Sequence, residues 1–133
     1  MSFQDAVLNA LMNFKDFSGR ATRSEFWWFQ LFFVANIAFF RAISGEVLAD
    51  GYGDLAFMLV FLPLLVPSLA VTFRRLHDLG YPGWLSLGVF IPYLNFWFVF
   101  VLEALLAYEG EDKPNKYGEV PTNVTIMALP KTD

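Results

Sequence analysis

The sequence predicts an all-α membrane protein, and three observations carry that prediction. Hydrophobic residues make up 56% of the 133 residues, with 16 Phe, four Trp and five Tyr, more apolar surface than a soluble chain this short can hide. Two stretches, 26–40 and 55–73, hold no charged residue, and an α-helix needs about 20 apolar residues to cross a ~30 Å hydrocarbon core. The charges gather instead between the oily runs, above all in "FRRLHDLGYPGW", Phe73 to Trp84.

The length suits one integral membrane domain, residues 1–121, followed by a loosely ordered tail, 122–133. Ser2-Phe3-Gln4-Asp5 has the S-x-x-D form of a helix start, and Phe3, Val7, Ala10, Leu11 and Phe14 then recur at three- and four-residue spacing. The spacing predicts an amphipathic helix over 3–14, and the membrane segment close behind it favours a place in the lipid interface over a soluble core. Thr22-Arg23-Ser24-Glu25 reads as a capping box, with the Thr22 hydroxyl and the Glu25 carboxylate each taking a free backbone N–H. The first span follows over 26–43, with Trp27 and Trp28 at its boundary and Arg41 snorkelling at its far end.

"SGEVLADGYGD", residues 44–54, reads as a loop. The second span is expected over 55–79. Its Pro63 and Pro67 each remove a backbone donor and expose carbonyls that need partners, for which Asn36 of the first span is a candidate. Gly80 suits a left-handed helix cap and Pro82 a stop. From Trp84 to Tyr108 the chain carries one charge, Glu103, and the turn-prone Ile91-Pro92-Tyr93-Leu94-Asn95. A hairpin turning there, or a single kinked span, both fit. The arms 84–91 and 96–108 are only about 12 and 20 Å long as helices. Residues 110–121 form a polar tail motif.

Lys15, Arg20 and Arg23 before the first span, and Arg74 and Arg75 after the second, predict a cytoplasmic N-terminus by the excess of positive charge on that side. No apolar run with a small-residue cleavage site precedes residue 26, so no cleavable signal peptide is expected. A net charge of −4 argues against a nucleic-acid partner. With no cysteine there is no disulfide framework or thiolate site.

Three motifs resemble the bacterial family of domain of unknown function 805, small inner-membrane proteins. They are "FSGRATRSEFWW", "RRLHDLGYPGW" and "GEDKPNKYGEVP", though the family's ending often has Gly-Pro where this chain has Gly118-Glu119. The resemblance implies about four membrane helices and an inner-membrane address, and it implies no activity. It also favours the hairpin, which puts all three motifs on one membrane face.

Arg74, His77 and Asp78 share a helix face at i, i+3 and i+4, with Arg75 about a quarter turn away. The plain reading makes the arginines topology anchors and pairs Asp78 with Arg74. The sharper reading brings Arg20, Arg23, Arg74 and Arg75 together as an anion-binding cluster for a lipid headgroup or anionic partner. Glu25, His77, Asp78, Glu103, Asn115 and Tyr117 are its supporting polar residues: Glu103 is expected to face Arg75, and Asn115 and Tyr117 to close the site as hydrogen-bond donors. The alternative is an oligomeric transport unit with Asn36, Asn95 and Glu103 along a path. No catalytic residues, metal site or cofactor are expected. His77 and Asp78 are adjacent and so diverge by about 100° on a helix, and a lone histidine makes no metal site.

Overall fold

The computed structural model describes residues 1–47, 52–92 and 95–121. The predicted loop residues 48–51, the turn residues Tyr93 and Leu94, and the tail 122–133 lie outside the described residues. Four α-helices and one 3-10 helix follow in order: α1 (Phe3–Met12), α2 (Arg23–Val47), α3 (Tyr52–Asp78), the 3-10 helix (Gly83–Phe90) and α4 (Asn95–Leu106). No strand occurs among the described residues. α2 and α3, with 25 and 27 residues, are about 37 and 40 Å long at the helical rise. Both are long and apolar enough to cross a membrane.

Local signals start α1 and α2 and stop α3 as read. The Ser2 hydroxyl accepts the Asp5 N–H at 3.2 Å, which starts α1. Thr22 accepts the Glu25 N–H at 3.2 Å and starts α2. Gly80, with φ 81°, ends α3 in a Schellman turn: Tyr81 N–H reaches back to the Leu76 carbonyl and Gly80 N–H to that of His77. Three expectations need correction. The Glu25 carboxylate pairs with Arg74 rather than completing the capping box. α2 continues to Val47 and α3 begins at Tyr52, both inside the predicted loop 44–54, and α3 continues through Pro63 and Pro67 as one helix. The Asn36 amide donates to the Phe32 carbonyl of its own helix at 2.8 Å, because i−4 is the nearest acceptor, and so does not serve the proline-bearing helix.

α2 and α3 run antiparallel. At one end Arg41 meets Asp54 at 2.8 Å, and at the other Arg74 meets Glu25 at 2.9 Å. The third oily stretch turns back on itself: the 3-10 helix leaves the end of α3, and α4 returns until the Leu106 carbonyl accepts from Arg75 at 3.1 Å. Its first arm is a 3-10 helix rather than an α-helix. The segment is short and holds two crowded glycines: a Cβ on Gly83 would stand 2.2 Å from the Phe73 ring, and one on Gly88 2.5 Å from that of Phe98.

The core sits at the Arg74 end. Ala10 of α1, Ala21, Phe26 and Phe29 at the start of α2, Val71 and Leu76 late in α3, and Leu102 and Leu106 late in α4 form one buried cluster. α1 lies across α2, with Ala6, Val7 and Ala10 buried and the Phe3 ring edge-on to Trp28 at 5.8 Å. The expected interfacial face of α1 is thus partly spent on α2, while Phe3, Leu8 and Met12 stay exposed. Away from this end the helices show apolar residues outward, such as Val34, Leu59 and Phe100 at 61–68% exposure.

Candidate functional site

The polar groups of all three sequence motifs meet where α2 begins and α3 ends. Asp78, 4% exposed, stands at the centre. Arg20 approaches it from the loop before α2, with Nε at 3.0 Å and Nη2 at 2.9 Å from the carboxylate. Arg75, one helical turn earlier on α3, donates Nη1 to the other carboxylate oxygen. The remaining donors of both guanidiniums go to backbone carbonyls. Arg20 reaches Lys113 at 2.9 Å, Gly118 at 3.2 Å, and Glu111. Arg75 reaches Leu106 and Tyr108. Two buried arginines therefore bind one carboxylate and five carbonyls of the α4 end and the tail, the geometry for which a guanidinium fork suits better than a lysine.

A second ion pair lies beside the first. Arg74 donates to Glu25 at 2.9 Å, and both side chains are at least 96% buried, with exposures of 4% and 3%. Asn9 of α1 also bonds the Glu25 carboxylate. Nε and Nη2 of Arg74 are buried with no acceptor among the described residues, so Glu25 is the main compensation for this charge. Nearby, Asp16 closes the loop before Arg20, accepting from the N–H groups of Ser18 and Gly19 at 3.0 and 3.1 Å. Partial burial acts to raise its carboxyl, but these bonds, the Ser18 hydroxyl and the Arg74 charge together hold it below the usual carboxylate range.

His77 ties the tail to the N-terminal loop. Its Nδ1–H donates to the Gly19 carbonyl at 2.9 Å. Its ring stacks on Tyr117 with centroids 3.9 Å apart and planes 5° off parallel. Asn115 donates to the His77 carbonyl at 2.9 Å and accepts the Tyr117 N–H at 2.9 Å, holding the turn closed by Gly118.

Of the sequence-predicted residues, Arg20, Glu25, Arg74, Arg75, His77, Asp78, Asn115 and Tyr117 come together, but with different partners. Asp78 pairs with Arg75 and Arg20, not Arg74, because i, i+3 aims Arg75 back over the last turn and Arg20 reaches the same point. Tyr117 acts through its ring rather than as a donor. Arg23 is exposed at the rim, donating to the Ala107 carbonyl at 3.3 Å. Glu103 does not meet Arg75, whose donors are taken; it lines a separate cavity. The guanidiniums of Arg20 and Arg75 surround the protein's own carboxylate, not open space.

Gly110 was missed as a site residue. A Cβ there would stand 1.7 Å from an Asp78 oxygen, so only glycine lets the tail backbone approach and lets Glu111 N–H reach the Asp78 carbonyl at 2.8 Å. Its signal was the glycine opening "GEDKPNKYG". Among the described residues no group of His, Asp and Glu could hold a metal ion.

The chain is similar to known proteins over most of its length. The model of the family described as protein of unknown function (DUF805) matches residues 14–119. Inner membrane protein YhaI of Escherichia coli K12 is 33% identical over 120 residues, covering 86% of this chain and 92% of the relative. Inner membrane protein YhaH of the same organism is 33% identical over 130 residues, with 88% and 96% covered. The uncharacterized protein YiiR is 34% identical over 137 residues, with 84% and 90% covered. No solved structure matches. With most of its length shared with these proteins and all three motifs inside or overlapping the matched region, the chain belongs to the DUF805 family.

Proposed function

We propose that this chain is a multi-pass inner-membrane protein with its N-terminus and tail in the cytoplasm, and that its cytoplasmic end binds anionic lipid headgroups. The observation that carries the reading is the distribution of cations. Of the nine Lys and Arg, Arg20, Arg23, Arg74 and Arg75 lie at the end where the tail docks, together with Lys113 and Lys116 of the tail itself and Lys15 of the adjoining loop. Among the described residues only Arg41 lies at the other end, neutralised by Asp54. Such asymmetry in short flanks orients membrane proteins with the cationic end inside.

In this placement α2 and α3 cross the bilayer. The 3-10 helix and α4, with 8 and 12 residues, are about 16 and 18 Å long, too short to cross a ~30 Å core. They enter as a hairpin from the cytoplasmic side, with Trp97, Phe100 and Val101 toward lipid. α1 lies at the interface and presents Phe3, Leu8 and Met12 to it. Arg20, Arg74 and Arg75 build the platform, and Lys15, Arg23, Lys113 and Lys116, all exposed, supply the attraction. A basic residue near an anionic leaflet contributes about 1 kcal/mol, and the exposed Glu109, Glu111, Asp112 and Glu119 offset part of the sum. A transport route would need polar groups through the midplane, and Asn36 turns back onto its own helix.

Two measurements test the reading. A C-terminal reporter is expected to be active in the cytoplasm; periplasmic activity overturns the topology. Replacing Lys15, Arg23, Lys113 and Lys116 by Gln is expected to lower the anionic lipid retained on purification from native membranes. An unchanged lipid content overturns the headgroup assignment.

A further inference from the structure

Below the polar cluster, between α2, α3, the 3-10 helix and α4, lies a cavity of about 220 Å³. Glu103 and Thr72 each sit three residues before the arginine-bound end of their helix, and Gln30 five residues after Glu25. The cavity is therefore about 5–8 Å inward along the helices, under the headgroup level. An ionisable side chain at such depth is costly and ordinarily has a partner. Glu103 has none among the described residues: no hydrogen bond or ion pair reaches its carboxylate, and the guanidinium of Arg75 is spent elsewhere.

Gln30, Ser68, Thr72 and Ser86 are the other polar groups of the cavity wall; the Gln30 amide and the Ser68 hydroxyl can donate or accept, and the other two hydroxyls tip the balance toward accepting. The Thr72 hydroxyl donates to the Ser68 carbonyl at 2.7 Å, and the Ser86 hydroxyl, 2% exposed, donates to the Gly83 carbonyl at 2.9 Å. With their protons so used, both oxygens offer lone pairs. Beside the Glu103 carboxylate, these hydroxyls make an acceptor-rich floor. The rest of the wall is largely apolar, with the rings of Phe33, Phe61 and Phe90. A ligand that donates hydrogen bonds, carries positive charge and covers apolar surface suits Glu103 and these hydroxyls, and ring faces add to cation binding. The volume lies below the ~300–1,000 Å³ usual for ligand pockets, which limits the ligand to a small one.

We propose that this cavity is a binding site for a small lipophilic ammonium ion, a protonated primary amine with an aromatic or branched apolar body, with Glu103 as its counter-ion. The amine N–H groups bond the Glu103 carboxylate and the hydroxyl oxygens of Thr72 and Ser86, and the apolar body lies against the phenyl rings. The site is independent of headgroup binding: it uses no residue of the exposed cationic rim.

The test uses the full chain in nanodiscs of neutral phosphatidylcholine, so that an anionic bilayer does not collect the probe. 2-Phenylethylammonium chloride is titrated in a calorimeter, with the uncharged 2-phenylethanol as control. Saturable binding of the amine, at least tenfold tighter than that of the alcohol, is expected. In Glu103→Gln, which keeps the side-chain volume, the amine should bind at least tenfold more weakly, with circular dichroism confirming the helices. Absence of saturable amine binding, equal binding of the alcohol, or equal amine affinity in Glu103→Gln each overturns the assignment. The amine and alcohol arms decide it on the unaltered protein alone.

Discussion

Asp78→Asn isolates the polar cluster from everything else in the fold. The substitution keeps size and shape but leaves two buried guanidiniums facing one neutral amide. Its oxygen can accept from Arg20 or from Arg75, not fully from both, and its NH₂ then points at the other cation. Removing one partner of a buried ion pair costs about 3–5 kcal/mol. Here the carbonyls of Leu106, Tyr108, Glu111, Lys113 and Gly118 still accept from the two arginines, so about 3 kcal/mol is expected. That is roughly a hundredfold in the folded-to-unfolded ratio. Reversible unfolding in mixed micelles, followed by the fluorescence of the four Trp, measures it, and trypsin cleavage after Lys113 and Lys116 reports release of the tail. Arg41→Ala is the internal comparison: its pair with Asp54 is 60% and 82% exposed and should change stability by less than about 1 kcal/mol. Asp78→Asn within about 1 kcal/mol of the unaltered chain would refute the view that this carboxylate holds the two motifs and the tail together.

Glu25→Ala is expected to cost about 3–5 kcal/mol in the same assay, because Arg74 loses its carboxylate while two of its nitrogens already lack acceptors; Glu25→Gln should cost less. Gly110→Ala forces the tail away from Asp78, so a loss of about 1–3 kcal/mol with faster tryptic cleavage of the tail is expected. Tyr117→Phe keeps the stack on His77 and should be near neutral, whereas Tyr117→Ala should lose about 0.5–1.5 kcal/mol by thermal unfolding. Asp16 gives a pH dependence. Its folded carboxyl is held low, so its contribution is present above the ordinary carboxylate range near ~4 and is lost as pH falls through the lower folded value. Unfolding midpoints measured from pH 6 downward should therefore fall less steeply in Asp16→Asn than in the unaltered chain.

The sequence by itself determined the helical class, the two long apolar helices, the caps at Ser2 and Thr22, the Gly80 stop and the grouping of the arginine motifs. Those features rest on short-range rules: helical periodicity, the length of uncharged runs, and side chains that satisfy backbone groups within four residues. Tertiary structure decided the rest. Which carboxylate each arginine takes depends on guanidiniums 49 and 58 residues away from their partners, and local spacing alone suggested Arg74 for Asp78. Folding the last oily stretch back to Arg75 depended on carbonyls at Leu106 and Tyr108, which every residue carries and no sequence pattern marks. The need for glycine at 110 appeared only once an Asp78 oxygen stood where a Cβ would be. The isolation of Glu103 followed in turn, since its expected partner had already been claimed by Asp78 and the returning chain.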